Sequence, residues 1–506
     1  MTKRLIEKRL PLAEVSAESA REKSIRHGHV STLHIWWARR PLAASRAAVF
    51  GTLVPDTDEN YELVKRIVPW EAVKDGNSEA VLEARRRVLE ANGGTPPKVL
   101  DPFAGGGAIP LEALRLGCET YALDLNPVAH IIQRATLEYP QTYGQPTTGP
   151  APDYIRAKDA AAGRKNPQAS AFEKDGEWTS AYRQNPLAAE VRYWGEWVLE
   201  KARSELAGFY PADEGGKTPV AYLWARTVAC TNPACRAEVP LVRQWWLAKK
   251  ANKMIALKPV VDKAAKTVDF EVVEGVGKGE TWPDEGTITR GNAVCLVCGT
   301  TIPVEDVRVS AREASWGERM LAVVLSDAGE SGKSYRAATA QDMAVFGRAA
   351  AKLAELQQEL TFDGWPIVPD EPLPPVGTLG FRVNNYGLDQ WGKLFNARQA
   401  LSLVTFAKWV RDAHGEMLRA GMEEERARAV GTYLGIGVSR GADYWSSLTI
   451  WANSGEFIAH TFGRQALPMV WDYGETNPFD GAGGDWIGAS DWIVRVIENL
   501  APSSRN

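Results

Sequence analysis

One short stretch constrains the fold of this chain more than any other: VLDPFAGGGAIPLEALRLGCETYALDLNP, residues 99–127. An apolar segment typical of a strand ends at Asp101 and runs into a turn built largely from glycine. Gly105 and Gly107 lack a Cβ, so the backbone can approach a ligand closely there. A second apolar segment ends at Asp124. The stretch therefore predicts a strand–turn–helix–strand unit that forms a cradle for a nucleotide-type cofactor.

The residues around the turn favour one cofactor class. A dinucleotide site needs the spacing G-x-G-x-x-G, but Pro110 occupies the position of the last glycine, where it suits a first helical turn. Asp101 would repel a pyrophosphate, whereas it suits the ammonium group of S-adenosylmethionine. Asp124 can accept hydrogen bonds from ribose hydroxyls. The alternative is a glycine-rich turn in an unrelated α/β domain.

The stretch resembles motif I of amino-type DNA methyltransferases, which reads Asp-Pro-Phe-x-Gly-x-Gly. Other segments resemble one family among them, the large adenine-specific DNA methylases that have an inserted zinc ribbon and an N-terminal domain of unknown function. The segments that carry this resemblance are STLHIWWARRPLAASRA (31–47), DPFAGGGAIPLEALRLGC (101–118), LDLNPVAH (123–130), RYWGEWVLEKA (192–202), GNAVCLVCGT (291–300), NNYGLDQWGKLFNARQ (384–399) and VWDYGETNPF (470–479).

The resemblance implies an α/β fold: a partial Rossmann-like S-adenosylmethionine methyltransferase core with an inserted β-rich zinc ribbon and a helical C-terminal region. We expect the N-terminal segment and the start of the core over 1–142, and a linker with an amphipathic helix over 143–218. The zinc-ribbon insertion is expected over 219–310, and a mainly helical region returning toward the core over 311–506. The residues expected to bind the cofactor are Asp101, Phe103, Gly105, Gly107, Asp124 and Asn126.

A basic, aromatic stretch precedes the glycine turn. In enzymes of this kind the segment before motif I often closes over the methionine end of the cofactor. Trp37 and Arg39, with the neighbouring Trp36 and Arg40, can supply an aromatic wall and a cation for the methionine carboxylate. We therefore add Trp37 and Arg39 to the expected cofactor site. The alternative is a basic surface helix that contacts DNA phosphates or only solvent.

Four of the five cysteines predict a structural zinc site. Cys230 and Cys235 lie in CTNPAC, and Cys295 and Cys298 lie in CLVC, followed by glycine. Thiolates at the second spacing can reach one ion across a tight turn, and four protein ligands leave no open position for chemistry. The alternative is four reduced, buried cysteines. Cys118 is expected to be a small core residue.

A basic, aromatic segment follows the first cysteine pair. Trp245 and Trp246 are flanked by Arg243, Lys249, Lys250 and Lys253. Such a segment can grip a nucleic acid backbone. The alternative is that the tryptophans belong to the core.

The groups that would perform methyl transfer are harder to find. Methylation of an exocyclic amine needs acceptors for its N–H groups and a stacking partner for the flipped base. Related enzymes use Asp/Asn-Pro-Pro-Tyr/Phe, which this sequence lacks. The nearest match is Asn477-Pro478-Phe479, so Asn477 and Phe479 are weak candidates for catalysis. We expect that a second subunit or a downstream segment supplies the motif.

The composition bears on how DNA could be bound and on where the protein is located. A net charge of −4 gives no global basic field, so DNA would have to be bound by local patches. The sequence has no apolar run as long as a membrane span and no signal peptide at its start. We therefore expect a cytoplasmic protein with no membrane partner.

Together these features predict an S-adenosylmethionine-dependent methyltransferase of the adenine N6 amino group in double-stranded DNA, or the cofactor-binding part of one, in restriction-modification or phage defence. The alternative is a catalytically inactive DNA-binding subunit that needs a partner with the catalytic motif. An RNA or protein methyltransferase shares only the cofactor fold. The preference for adenine N6 over cytosine N4 rests on the resemblance alone.

Overall fold

Helices make up most of the N-terminal part of the chain. The structure, a computed structural model, describes residues 3–26, 28–74, 78–165, 176–277, 279–313, 316–326, 332–481 and 483–500. The helices and strands up to residue 206 are α1 (Leu12–Glu22), α2 (Leu42–Leu53), α3 (Asp58–Ile67), α4 (Glu79–Ala91), β1 (Lys98–Asp101), α5 (Ala108–Arg115), β2 (Glu119–Ala122), α6 (Pro127–Gln133), α7 (Tyr139–Tyr143), α8 (Asp153–Lys165), α9 (Glu177–Gln184) and α10 (Pro186–Leu206).

Strands dominate the next segment, as the sequence predicted for residues 219–310. These strands are β3 (Thr218–Ala229), β4 (Glu238–Leu241), β5 (Trp246–Lys250), β6 (Lys253–Asp262), β7 (Thr267–Glu274), β8 (Ile288–Thr289), β9 (Asn292–Val294) and β10 (Thr301–Ile302).

The C-terminal part mixes long helices with strands. Its elements are α11 (Val304–Arg312), β11 (Gly317–Ser326), β12 (Lys333–Ala337), α12 (Ala340–Glu359), β13 (Thr361–Phe362), β14 (Trp365–Pro366), α13 (Ala397–Arg419), α14 (Glu424–Tyr444), β15 (Ile450–Ala452), β16 (Phe457–Ala459), β17 (Asp472–Thr476) and α15 (Trp486–Leu500).

The chain forms two compact units, each built from segments that are distant in sequence. Unit 1 consists of residues 1–197, 410–437 and 490–506, and unit 2 of 198–409 and 438–489. The fold is therefore mixed α/β, with several small sheets divided between the units.

Unit 1 contains the predicted strand–turn–helix–strand. β1 and β2 pair in parallel as a two-stranded sheet, with Leu100 opposite Tyr121. Helix α5 connects them and packs against α2 through a buried ion pair between Arg46 and Glu112. Arg46 also donates to the carbonyl of Ile67, so one buried guanidinium links α2, α5 and the end of α3. These contacts hold the glycine turn against the N-terminal helices.

Unit 2 is built on an antiparallel sheet with strand order β12-β11-β3-β17, and β4 pairs with the end of β3. β3 is twelve residues long and almost entirely buried, because it lies between β11 and β17 with packed side chains on both faces. The three-stranded sheet β5-β6-β7 packs onto it through apolar residues that include Trp245 and Leu257. This sheet differs from the parallel sheet of a Rossmann core.

The segment 143–184 is more structured than the expected linker. It contains α8 and α9, joined through Asp159, whose carboxylate accepts the backbone N–H groups of Trp178 and Thr179 at 2.9 Å. Proline, glycine and lysine suggested a loop here, but the cap and an aromatic cluster around Tyr154 and Tyr182 stabilise short helices.

The described residues include no helix that is both long and apolar enough to cross a membrane.

Candidate cofactor cradle and metal centre

The carboxylate of Asp124, just after the second strand, accepts a hydrogen bond from the glycine turn. Asp124 Oδ2 accepts the backbone N–H of Gly105 at 2.8 Å, and Oδ1 accepts that of Asn126 at 2.9 Å. Gly105 and Gly107 have φ angles of +50° and +75°, which side chains other than glycine rarely adopt. Each carboxylate oxygen can accept a second hydrogen bond. The structure therefore brings the two predicted glycines and Asp124 together.

The other predicted residues of the turn lie beside it. Asp101 Oδ1 accepts the N–H of Phe103 at 3.1 Å, which fixes the carboxylate at the end of β1. The Phe103 side chain is 82% exposed. Asn126 caps α6, because its Oδ1 accepts the N–H of Val128 at 2.9 Å.

The N-terminal segment lies directly on the glycine turn. A Cβ added to Gly105 would lie 2.6 Å from Trp36 Nε1, so this indole covers the glycine. Arg39 donates to the carbonyl oxygens of Gly106 at 3.1 Å and His34 at 3.3 Å. Arg39 thus lies against the glycine turn, and its role in a cofactor site stays a prediction. Trp36 makes the contact with Gly105, while the Trp37 side chain is 44% exposed.

In the described part of the chain, Arg39 is a cation without an acidic partner. Among the described residues no carboxylate lies within salt-bridge distance of its guanidinium, and its hydrogen bonds go to carbonyl oxygens. Burial lowers the pKa of Arg39 to about 10, although the distant charge of Glu22 opposes this. A guanidinium in such a position is suited to an anionic ligand group.

Two residues that sequence reasoning missed support the cradle. Gln133 Nε2 donates to the carbonyl oxygen of Gly105 at 2.9 Å from α6. Glu22 accepts the first N–H groups of α2, those of Leu42 and Ala43, and also bonds His29. Burial alone would raise the pKa of the Glu22 carboxyl, but these hydrogen bonds outweigh it and lower the pKa. Neither residue belongs to a recognisable motif, so only the fold reveals its role.

The four predicted cysteines converge in unit 2. Cys230 follows β3 and Cys295 follows β9, and the four Sγ atoms lie within 4.8 Å of one another. The Sγ atoms of Cys230 and Cys298 are 3.6 Å apart, and those of Cys235 and Cys295 are 3.8 Å apart. Tetrahedral zinc with Zn–S bonds of about 2.3 Å requires sulfur–sulfur distances of about 3.8 Å. The cluster can therefore bind a metal ion and is compatible with zinc.

The turns around the cysteines fit a metal knuckle. The Gly299 N–H donates to the carbonyl of Cys295 at 2.8 Å, and Gly299 has a φ of +75°. Cys118 lies outside the cluster in unit 1, where burial raises the pKa of its thiol to about 11. It behaves as the core residue that the sequence predicted.

The basic, aromatic segment after the first cysteine pair is structural in this fold. Trp245 and Trp246 are buried, and their indole N–H groups bond the Glu285 carbonyl and Asp284. The basic residues form ion pairs: Arg243 with Asp472, Lys249 with Asp284, and Lys250 and Lys253 with Glu456. In this fold the four basic side chains therefore take part in ion pairs within unit 2.

The weak catalytic candidates are held inside unit 2. Asn477 Nδ2 donates to the carbonyl of Pro219 at 2.7 Å, and its Oδ1 accepts the N–H of Phe479 at 3.0 Å. The Phe479 ring packs 5.9 Å from the rings of Tyr210 and Phe406. These contacts favour a structural role, and catalysis by Asn477 and Phe479 stays a prediction.

Comparison with known protein families gives one match. Residues 9–78 match the family described as "Protein of unknown function (DUF1156)". This supports the part of the resemblance that concerns an N-terminal domain of unknown function, and the matched region contains Trp36 and Arg39, which cover the glycine turn. No curated protein and no solved structure matches the chain.

Proposed function

We propose that unit 1 binds S-adenosylmethionine and that the chain is an S-adenosylmethionine-dependent methyltransferase or the cofactor-binding part of one. One observation carries the proposal: the Asp124 carboxylate accepts the backbone N–H of Gly105 in the glycine turn, and the Arg39 guanidinium, which has no acidic partner among the described residues, bonds a carbonyl of the same turn. Together they place a carboxylate and a guanidinium at the same glycine turn. The partial Rossmann-like core belongs to this proposal.

The charges suit both ends of the cofactor. Arg39 would bind the methionine carboxylate, and Asp101 Oδ2, which has no hydrogen-bond partner among the described residues, would accept the ammonium group. The second lone pairs of the Asp124 oxygens would accept the ribose hydroxyls. Bound S-adenosylmethionine would supply an electrophilic methyl group. The chain's own contribution is to orient it and to keep Trp36 over the turn.

The acceptor is proposed from the resemblance: the adenine N6 amino group in double-stranded DNA, within restriction-modification or phage defence. Transfer to this amine depends on positioning the base against the methyl group. The structure adds no residue to this part of the proposal.

A second candidate is a cofactor-binding subunit that needs a partner, and the β1–β2 sheet favours it. Leu100, Tyr121 and Leu123 point to one face of this sheet and are 61%, 47% and 58% exposed. Parallel sheets are normally covered on both faces and contain more than two strands. A partner that packs on this face would cover these side chains and could bring the missing catalytic motif.

Binding of S-adenosylmethionine to the purified chain, measured by isothermal titration calorimetry, tests the cradle. Asp124→Asn keeps the side-chain volume but loses one of the acceptors for Gly105 and Asn126. We expect affinity to fall at least tenfold, about 1.4 kcal/mol. The matched control is Asp262→Asn, which alters a turn carboxylate that also accepts two backbone N–H groups, those of Ala264 and Ala265, in unit 2.

Transfer of tritiated methyl to unmethylated DNA separates the two candidates. Incorporation that Asp124→Asn abolishes would support a complete enzyme. Cofactor binding without incorporation would support the subunit that needs a partner. A folded chain that does not bind the cofactor would contradict both.

A further inference from the structure

The four cysteines of the metal centre are not equally exposed. Cys230, Cys235 and Cys295 are 0%, 6% and 1% exposed, whereas Cys298 is an exposed residue. The Sγ atom of Cys298 lies 3.2 Å from the Thr300 hydroxyl, in a contact at the surface. A small reagent in solution can therefore reach one sulfur of the centre directly, while the other three lie in the interior of unit 2.

A tight turn gives Cys298 this position. The Gly299 N–H donates to the Cys295 carbonyl at 2.8 Å, and the Cys295 N–H donates to the Thr300 carbonyl at 3.0 Å. Along the turn Cys295 and Val297 are buried, while Cys298 and Gly299 are exposed. The exposure of Cys298 therefore follows from the backbone of the turn.

An exposed metal ligand of this kind is a reactive group. A cysteine binds a metal ion as the thiolate, and the thiolate is also the form that attacks an oxidant. Cysteines that respond to oxidants combine thiolate character and solvent access with a neighbouring thiol that can react with the first product. As an exposed ligand, Cys298 meets the first two conditions.

Cys230 supplies the neighbouring thiol. Its Sγ lies 3.6 Å from the Sγ of Cys298, in a partly buried contact. A disulfide has an S–S distance of about 2.05 Å, so these two sulfurs need to approach by only about 1.5 Å. The Sγ atoms of Cys235 and Cys295 are 3.8 Å apart, but that contact is buried. Oxidation is therefore expected to begin at Cys298 and to end with a bond to Cys230.

We propose that Cys298 is an oxidation site for small peroxides, and that Cys230 converts the first product into a disulfide. The Cys298 thiolate attacks hydrogen peroxide: an S–O bond forms, the O–O bond breaks and hydroxide leaves, so sulfur is oxidised to a sulfenic acid and peroxide is reduced. The Cys230 thiolate then attacks this sulfur, an S–S bond forms and a second hydroxide leaves. Two thiolates and one hydrogen peroxide thus give one disulfide and two hydroxide ions.

The disulfide removes two of the four thiolates from the centre. A structural zinc site of this type needs all four, so the remaining pair, Cys235 and Cys295, has a much lower affinity for the ion. A dithiol reductant restores the two thiolates. The inference rests on metal binding by the four cysteines and does not depend on the cofactor cradle, because all four lie in unit 2.

Oxidation of the zinc-loaded full chain by hydrogen peroxide tests the proposal. A chromogenic chelator follows the release of zinc, and peptides are mapped without reduction. Trypsin leaves one cysteine pair in the peptide 227–236 and the other in 291–308, so fragmentation of the linked peptides identifies the two sulfurs that are joined. We expect Cys230–Cys298 as the first disulfide, formed at the rate of zinc release, and recovery of zinc binding after reduction.

Cys298→His separates exposure of the thiolate from metal ligation. Histidine also binds zinc in structural sites together with three cysteines. The variant should therefore retain zinc, as measured by elemental analysis, and release it to peroxide at least tenfold more slowly. Cys118→Ser is the matched control: it removes the cysteine that lies outside the cluster and should leave the release rate unchanged.

Trapping with dimedone, which reacts with sulfenic acids, gives a measurement that needs no variant. The adduct should form on Cys298 before any other cysteine. The proposal is overturned if the first disulfide is not Cys230–Cys298, if the first adduct lies elsewhere, or if millimolar peroxide releases no zinc. Release from a zinc-retaining Cys298→His variant as fast as from the unaltered chain would also overturn it. If the purified chain holds no zinc, the first disulfide and the first adduct decide the proposal in the same way.

Discussion

At the scale of residues, buried charges hold the cradle to its surroundings. Arg46 Nε donates to Glu112 at 2.5 Å, and Arg115 Nη1 donates to the same carboxylate at 2.5 Å. All three side chains are buried or nearly so. Removal of one partner from such a cluster leaves uncompensated charge in the interior. Glu112 therefore positions α5, and with it the glycine turn, without being part of the proposed cofactor site.

Glu112→Gln should destabilise the chain by about 3 kcal/mol, because two buried guanidinium groups would lose their counter-ion. Urea denaturation followed by circular dichroism measures the change. Glu138→Gln is the control: this carboxylate pairs with Arg134 at the surface, so the cost should stay below about 1 kcal/mol. Equal effects of the two substitutions would contradict the role of Glu112 as the counter-ion of two buried guanidinium groups.

The pH dependence of stability should show the role of Glu456. Burial favours its protonated form, but hydrogen bonds from Lys250, Lys253 and Tyr335 outweigh burial and lower the pKa to about 2. A folded-state pKa below the unfolded value of about 4.3 means stabilisation that is complete above that value and is lost as the pH falls toward 2.

The difference in the free energy of unfolding between the unaltered chain and Glu456→Gln should therefore be constant from pH 7 to about 5 and shrink as the pH falls further. Denaturation at a series of pH values measures it. A difference that is independent of pH would contradict the ion pairing.

At the scale of elements, the glycine turn and the cysteine turns were predictable because close backbone approach and metal ligation each require a particular residue at a particular spacing. The side chains that cover the glycine turn were less predictable from the sequence. Trp36 and Trp37 are adjacent and chemically identical, and only the fold shows that Trp36 covers Gly105. Gln133 acts from a helix that carries no motif.

Gly105→Ala should impair the cradle. The new Cβ would meet Trp36 Nε1 at 2.6 Å, and the φ of +50° is unfavourable for alanine. We expect a loss of stability of about 1–2 kcal/mol and at least tenfold weaker S-adenosylmethionine binding. In contrast, Gly347→Ala in α12 meets nothing within 4 Å and should be neutral or stabilising. Unchanged cofactor affinity in Gly105→Ala would argue against the cradle.

Cys295→Ser should lower the zinc content of the purified chain from about one ion to well below one, because a hydroxyl is a poor substitute for a thiolate. Elemental analysis measures the content. Cys118→Ala should leave it unchanged, since Cys118 lies outside the cluster. Zinc retained in full by Cys295→Ser would contradict the four-cysteine centre.

At the scale of the whole molecule, the sequence predicted which segments form helices or strands better than it predicted which strands pair. The segment expected to be β-rich, 219–310, consists largely of strands. The C-terminal region was expected to be mainly helical, yet β17 pairs with the buried strand β3 across some 250 residues. Short strands that meet partners so far away in sequence leave no local pattern to detect.

Hydrogen exchange should reflect this arrangement. Backbone amides of β1 and β2 should exchange faster than those of β3 and β11, because a two-stranded sheet with one open face has few neighbours to hold it closed. Addition of S-adenosylmethionine should slow exchange in β2 and the glycine turn. Mass spectrometry of peptides from both sheets measures this, and equal protection without ligand would contradict it.

The uncovered face of the β1–β2 sheet has a thermodynamic consequence. Asp124, at the end of β2, is fixed only as firmly as the strand that carries it. If another polypeptide completes the sheet, any factor by which it tightens cofactor binding must equal the factor by which the cofactor tightens that association. The affinity measured for the isolated chain would then be a reference value. Association with the partner would determine how much of the chain holds the cofactor in the cell.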